Sequence, residues 1–100
     1  MDNYSGYTFT TITGRPGEAM SVTTSFYLDE TARIDLHGAG KDRPFLGIDH
    51  GEVSVNIGPR PNVAVTAQDV ALVRRLADVA AALLAEVERL HADQSGRAAA

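Results

Sequence analysis

Residues 73–90, VRRLADVAAALLAEVERL, decide the fold. Their apolar residues recur at alternating spacings of three and four, which is the period of one face of an α-helix. Read as heptads, the segment has leucine at every d position and valine or alanine at every a position. We call this set the apolar stripe, and its members are Val73, Leu76, Ala80, Leu83, Val87 and Leu90.

The apolar face is wider than the stripe itself, because Val70, Ala77 and Leu84 border it on one side and Leu72 and Val79 on the other. About 26 helical residues would span ~39 Å, whereas a strand of about seven residues covers ~23 Å. A small sheet therefore covers only part of the helix, and the sequence predicts a homodimer or higher oligomer. The expected oligomer interface consists of Val73, Leu76, Ala80, Leu83, Leu84, Val87 and Leu90.

The first two-thirds of the chain alternate apolar with polar residues and are rich in β-branched and aromatic side chains, as strands are. Turn signals such as Gly14-Arg15-Pro16-Gly17 separate the runs. Since the connections are short, we expect consecutive strands to pair antiparallel as a meander. The predicted strands lie near residues 7–12, 20–28, 32–37, 45–48 and 53–57.

Thr66 is a favourable helix N-cap, and Asp69 three residues later makes a variant of the capping box. We expect one α+β domain over residues 1–92, in which 1–65 form an antiparallel meander of about five strands. The long helix, 66–92, packs across this sheet, and 93–100 form a disordered tail. The expected core is Phe9, Met20, Val22, Phe26, Leu28, Ile34, Leu36, Leu46, Ile48, Val53, Val55, Ile57, Val73, Leu76, Leu83 and Val87.

Composition and charge argue against several classes of function. The 100 residues carry a net charge of −4 and no cysteine, and the basic residues are scattered, so we expect no direct nucleic-acid binding. No apolar run approaches the ~20 residues of a membrane span, and the first residues do not resemble a signal peptide. These features favour a cytoplasmic protein that does not associate with membranes.

No motif in the sequence specifies a chemical reaction. The Gly38–Asp42 loop lacks the spacing of a phosphate-binding loop, and no base lies near a serine or threonine in a catalytic pattern. His37, Asp49, His50 and Glu52 could be drawn as a metal site, but without the spacing of a metal-binding motif. We therefore expect no enzymatic activity, no catalytic or cofactor-binding residues, no cofactor and no bound metal.

Two loops that combine arginine with proline are candidate partner-binding segments, because arginine and aromatic residues are favoured at interfaces. Their residues are Lys41, Arg43, Phe45 and Arg60. Exposed tyrosines, Tyr4, Tyr7 and Tyr27, are further candidate anchors.

The stretch Thr66–Leu90, TAQDVALVRRLADVAAALLAEVERL, follows a strand that ends in EVSVNIG. With the strand-rich start and the turn that contains proline, this capped helix resembles the small acidic regulatory proteins of actinomycetes of the BldB type. The resemblance implies an oligomer that acts by binding a separate DNA-binding regulator.

These observations together predict a non-catalytic, homo-oligomeric protein-interaction module that regulates a DNA-binding transcription factor. Two alternatives stay open at this point: a phage structural or accessory protein, and a small-ligand-binding protein that uses the open face of the sheet.

Overall fold

The computed structural model describes residues 6–99, and side chains over residues 6–96. Five antiparallel strands and one long C-terminal helix confirm the α+β class. The elements are β1 (Tyr7–Thr13), β2 (Ser21–Tyr27), β3 (Arg33–His37), β4 (Phe45–His50), β5 (Val53–Ile57) and α1 (Ala67–Ala99).

The chain divides into two compact units, Met1–Gly58 and Pro59–Ala100. The boundary lies at the start of the proline-containing segment, several residues before the expected junction between 65 and 66. The single domain over residues 1–92, and the packing of the helix across the sheet, stay predictions.

In the first unit, β1 and β2 form a hairpin whose register runs from Tyr7 opposite Tyr27 to Thr13 opposite Ser21. A turn lies within the connection, where the Glu18 amide donates to the Arg15 carbonyl oxygen at 3.0 Å. Pro16 occupies its second position, and Gly17 takes the positive φ of 80° that the third position of a type II turn requires. The turn predicted at this place is thus confirmed.

The remaining strands form a three-stranded antiparallel sheet in the order β3-β4-β5. Ile34, Ile48 and Val55 lie in one row across it. Gly51 and Glu52 connect β4 to β5, and the φ of 62° at Gly51 allows this short reversal.

The strands therefore lie in two sheets, where a continuous meander is expected from the short connections. Among the described strands, β2 and β3 do not pair. A local turn takes the place of that pairing: the Ala32 amide donates to the Asp29 carbonyl oxygen at 3.0 Å. The Asp29 carboxylate also accepts the Thr31 amide at 2.9 Å, so the chain leaves the hairpin at this point.

The helix begins as the sequence predicts. Thr66 Oγ1 accepts the Asp69 amide at 3.1 Å, and Asp69 Oδ2 accepts the Thr66 amide at 2.9 Å. These reciprocal bonds satisfy one free amide of the first turn and the amide of the capping residue itself. Within residues 6–99, no helix has the combined length and hydropathy needed to cross a bilayer.

The predicted helix end is wrong, since α1 continues to Ala99 and residues 93–99 are helical rather than a disordered tail. Arg89 contacts Asp93 one turn later at 3.2 Å, an i,i+4 pair that supports the helix beyond Ala92. Ala100 lies outside the described residues.

Over the described residues 6–96 no apolar side chain is buried, so neither unit by itself contains the predicted core. The hairpin register gives one reason. Phe9 is opposite Ser25, whereas Phe26 is opposite Thr8, so the two phenylalanines lie on opposite faces of the hairpin. A sheet of two or three strands needs a further layer to bury an apolar face.

Candidate interaction surfaces

The apolar stripe is exposed along its whole length. Among its leucines and valines, Leu76 is the least exposed at 39% and Leu83 the most exposed at 64%. In its described part, the second unit contains one helix and no other regular element. The helix therefore cannot bury this face within its own unit, and all seven residues predicted for the oligomer interface are available: Val73, Leu76, Ala80, Leu83, Leu84, Val87 and Leu90.

The two halves of the helix differ in the arrangement of their charged side chains. Arg74 and Arg75 are adjacent in the first half. In the second half, Arg89 contacts Glu86 at 3.0 Å and Asp93 at 3.2 Å. These pairs are exposed, so each adds only a few tenths of a kcal/mol, about 0.3–0.5 for a helical pair.

Arg60, one of the predicted partner-binding residues, lies beside the start of the helix. Its Nη2 is 3.9 Å from Asp69 Oδ2, and its side chain is largely exposed. Hydrogen bonding from the Thr66 amide is the main cause that lowers the pKa of Asp69, opposed by partial desolvation and assisted by the Thr66 hydroxyl and the Arg60 charge. The carboxylate is thus kept ionised at the positive end of the helix dipole.

Three aromatic rings lie together on one face of the hairpin, and we call them the aromatic cluster: Tyr7, Phe9 and Tyr27. Their ring centroids are 5.0–6.0 Å apart, within the range of favourable aromatic pairs. All three side chains are nevertheless more than two-fifths exposed. Two of the predicted tyrosine anchors thus belong to one apolar surface, while Tyr4 lies outside the described residues.

A polar network joins the two sheets of the first unit. The His50 imidazole on β4 lies 3.3 Å from Asp29 through Nε2 and 3.4 Å from the Thr8 hydroxyl through Nδ1. Asp29 also accepts the Gly6 amide at 2.9 Å. His50 is the buried polar side chain of the described residues, and its surroundings satisfy it.

Hydrogen bonds hold Asp29 in its ionised form. The Thr31 hydroxyl and then the Thr31 amide make the largest contributions, and those from Gly6 and His50 are smaller. Against some desolvation, they lower the pKa of Asp29 from 3.8 to about 2. The carboxylate, imidazole and hydroxyl follow one another as in a nucleophilic triad. The carboxylate accepts hydrogen bonds from four donors, and its contact with His50 joins the end of the hairpin to β4.

The predicted partner-binding residues belong to different parts of the chain. Lys41 and Arg43 are exposed in the connection between β3 and β4. Phe45 is the first residue of β4 and is partly buried, because its ring stacks on His37 at 4.9 Å. Arg60 belongs to the second unit.

Three of the four residues considered as metal ligands contact different partners. His37 packs on Phe45, His50 contacts Asp29, and Asp49 accepts the Ser54 hydroxyl. Within the described part of the chain, no group of three or more His, Cys, Asp or Glu side chains is placed to hold a metal ion.

Comparison with protein-family models, with curated proteins and with solved structures finds no match for this chain.

Proposed function

We propose that the protein is a non-catalytic, homo-oligomeric protein-interaction module whose helix is shared between copies. One observation carries this proposal: over residues 6–96 no apolar side chain is buried, while the apolar stripe is exposed from Val73 to Leu90. A helix in water gains most of its stability from burying such a face. A second copy supplies an equal apolar face, as an isologous interface requires.

The size of the effect supports the use of the whole apolar face. Full burial of a valine or leucine side chain is worth about 1.5–3 kcal/mol, and the large stripe residues are already about half buried. Two chains that bury five such residues each would thus gain on the order of 10 kcal/mol. Association itself costs ~4–15 kcal/mol. The stripe alone gives a weak dimer, so the bordering Val70, Leu72, Val79 and Leu84 belong to the same interface.

We also propose that the oligomer acts in the cytoplasm by binding another protein, and that this partner is a DNA-binding transcription factor. The net charge of −4 and the dispersed basic residues argue against contact with DNA by this chain itself. The aromatic cluster supports a separate site for the partner, because exposed tyrosine and phenylalanine rings are common interface anchors. Tyr7 and Tyr27 lie in the first unit, on elements other than the helix.

The solution mass of three proteins tests self-association: the wild type, Leu83→Asp with Leu90→Asp, and Ala85→Asp. Ala85 lies on the same helix but away from the stripe, so its variant controls for the added charge. We expect a dimer or larger for the wild type and the control, and a monomer for the stripe variant. A wild-type monomer, or a stripe variant that keeps the wild-type mass, would refute the proposal.

A milder variant covers the case in which the aspartates unfold the helix. Leu83→Ala with Leu90→Ala keeps the helix propensity and removes apolar area. We expect helical circular dichroism to persist and the dissociation constant of the oligomer to rise by tenfold or more. An unchanged dissociation constant would place the interface elsewhere.

Capture of proteins from a cell lysate tests the proposed binding of a transcription factor. Tagged wild type and Tyr7→Ala with Tyr27→Ala are used to capture proteins from an actinomycete lysate, with Tyr7→Phe and Tyr27→Phe as the matched control. We expect a transcription factor to be retained by the wild type and the control but lost from the alanine variant, whose oligomeric mass is unchanged. Capture of no protein partner by the wild type would contradict the proposal.

A further inference from the structure

The apolar stripe has the same spacing when read from either end. Its successive intervals are three, four, three, four and three residues, so its midpoint falls between Ala81 and Ala82. Residues at equal distances from the midpoint differ in type: Val73 corresponds to Leu90, Leu76 to Val87, and Ala80 to Leu83. This spacing is compatible with either orientation, but from the residue types we infer that two copies of the helix pair antiparallel, about a two-fold axis at Ala81–Ala82.

Packing favours this orientation over the parallel one. In a parallel pair in register, each stripe residue meets its own copy, so Ala80 would face Ala80 between two layers of leucine. Such an alternation of thin and thick layers leaves a gap that neighbouring side chains fill only in part. In the antiparallel pair, every layer contains one leucine and one smaller residue. The side-chain volume of each layer is therefore nearly constant along the interface.

The charge distribution also favours the antiparallel orientation. Residues 83–96 carry Glu86, Glu88 and Asp93 against Arg89, a net charge of −2 with histidine neutral, whereas Asp69, Arg74, Arg75 and Asp78 balance over residues 67–80. A parallel pair brings two negative segments together. An antiparallel pair places each beside the neutral segment of the other copy, with Glu88 level with Arg75. Arg74 is then level with Arg89, whose charge is already balanced by Glu86 and Asp93.

This inference rests on the proposed self-association and adds its geometry. The chain contains no cysteine, so single cysteines can be introduced for spin labels without background. Ala71 and Ala92 suit this purpose, because both lie away from the stripe and at equal distances on either side of its midpoint.

Pulsed electron paramagnetic resonance on Ala71→Cys, on Ala92→Cys and on a mixture of the two labelled proteins distinguishes the orientations. In the antiparallel pair, identical labels are separated along the axis by 21 residues, or ~32 Å, and unlike labels lie at the same level. We therefore expect a long distance in each single protein and a short one, set by the helix separation, only in the mixture. A short distance between identical labels would overturn the antiparallel arrangement while leaving self-association intact.

The solution mass of the labelled proteins shows which of the two claims fails, self-association or helix orientation. A monomeric mass without dipolar coupling, shared by the unlabelled wild type, would overturn self-association and with it the inference. A dimeric mass with short distances between identical labels would overturn the orientation alone.

Discussion

Nε2 of His50 lies 3.3 Å from Oδ1 of Asp29, and this contact links the three-stranded sheet to the end of the hairpin. The ionised carboxylate accepts, so the imidazole donates through Nε2. In neutral His50, Nδ1 is then left to accept the Thr8 hydroxyl at 3.4 Å. One buried imidazole thus contacts residues 21 and 42 positions away in the sequence.

Replacement of Asp29 by asparagine should lower the thermal stability at neutral pH. It should also make the remaining stability less sensitive to acid. The folded-state pKa of Asp29 is about 2, below its ordinary value of 3.8. A lowered folded-state pKa stabilises the protein above pH ~4, and this stabilisation is lost as the pH falls toward ~2. We expect Asp29→Asn to lower the Tm at pH 7 and to lose less Tm than the wild type between pH 4 and pH 2.

Thermal unfolding followed by circular dichroism at several pH values checks this expectation. Asp42→Asn removes a carboxylate from the exposed loop and serves as the control. Because the pKa of Asp69 is also lowered, part of the acid dependence should survive in Asp29→Asn. If Asp29→Asn and the wild type gave parallel curves, the carboxylate would have no such role.

Gly6→Ala should destabilise the first unit strongly. A Cβ at this position would lie only 1.9 Å from the Tyr27 carbonyl oxygen and 2.8 Å from the Asp29 amide nitrogen. The backbone cannot yield as a flexible side chain can, so we expect a cost on the order of 1–3 kcal/mol or more, as for other overpacked sites. Urea unfolding followed by tyrosine fluorescence measures it.

Gly96→Ala is the matched control for this substitution. Apart from the neighbouring backbone of its own helix, no atom lies within 4 Å of the added Cβ, and Gly96 lies inside the helix. Alanine is favoured there by ~1 kcal/mol, so helical circular dichroism should rise slightly. Equal destabilisation by both variants would contradict the close contact at Gly6.

Thr66→Ala should weaken the start of the helix. The substitution removes the acceptor of the Asp69 amide and typically costs ~1 kcal/mol. Thr66→Ser keeps the hydroxyl and should keep most of the stability. Thermal unfolding of both variants at 222 nm gives the difference, and a Tm for Thr66→Ala equal to that of Thr66→Ser would show that the cap is not formed.

Gly47→Ala should reduce stability by displacing the ring of His37. The added Cβ would lie 2.9 Å from the Cδ2 and Nε2 atoms of the His37 ring, so the ring must move away from Phe45. The loss should be about 0.5–1.5 kcal/mol, the worth of a stacked pair. In a His37→Ala background the same substitution should cost much less, as a double-mutant cycle from denaturant unfolding would show. Additive costs would mean that Gly47 and His37 are independent.

Local patterns predicted the elements well, because the forces that form them act over a few residues. The alternation from Met20 to Leu28 indicated β2, and Thr66 with Asp69 indicated both hydrogen bonds of the helix cap. Spacing along one helix likewise defined the apolar stripe. Each of these features depends on residues no more than one or two turns, or one strand, apart.

Features that depend on distant residues do not follow from local sequence patterns. The alternation in β1 does not say which face carries Phe9, and only the register with β2 places it beside Tyr27. Nothing in the sequence joins Thr8, Asp29 and His50, because the contact forms only once the hairpin meets β4. The predicted helix end at residue 92 falls short of Ala99, and the pair between Arg89 and Asp93 supports the helix beyond it.

Sedimentation equilibrium of the wild-type chain over a hundredfold range of concentration shows whether the chain self-associates. We expect a mass of at least twice 10.6 kDa at the higher concentrations, falling toward that of one chain on dilution if the oligomer is weak. A mass of 10.6 kDa at every concentration, with the helical signal retained, would contradict self-association, because the apolar stripe would then be covered without a second copy.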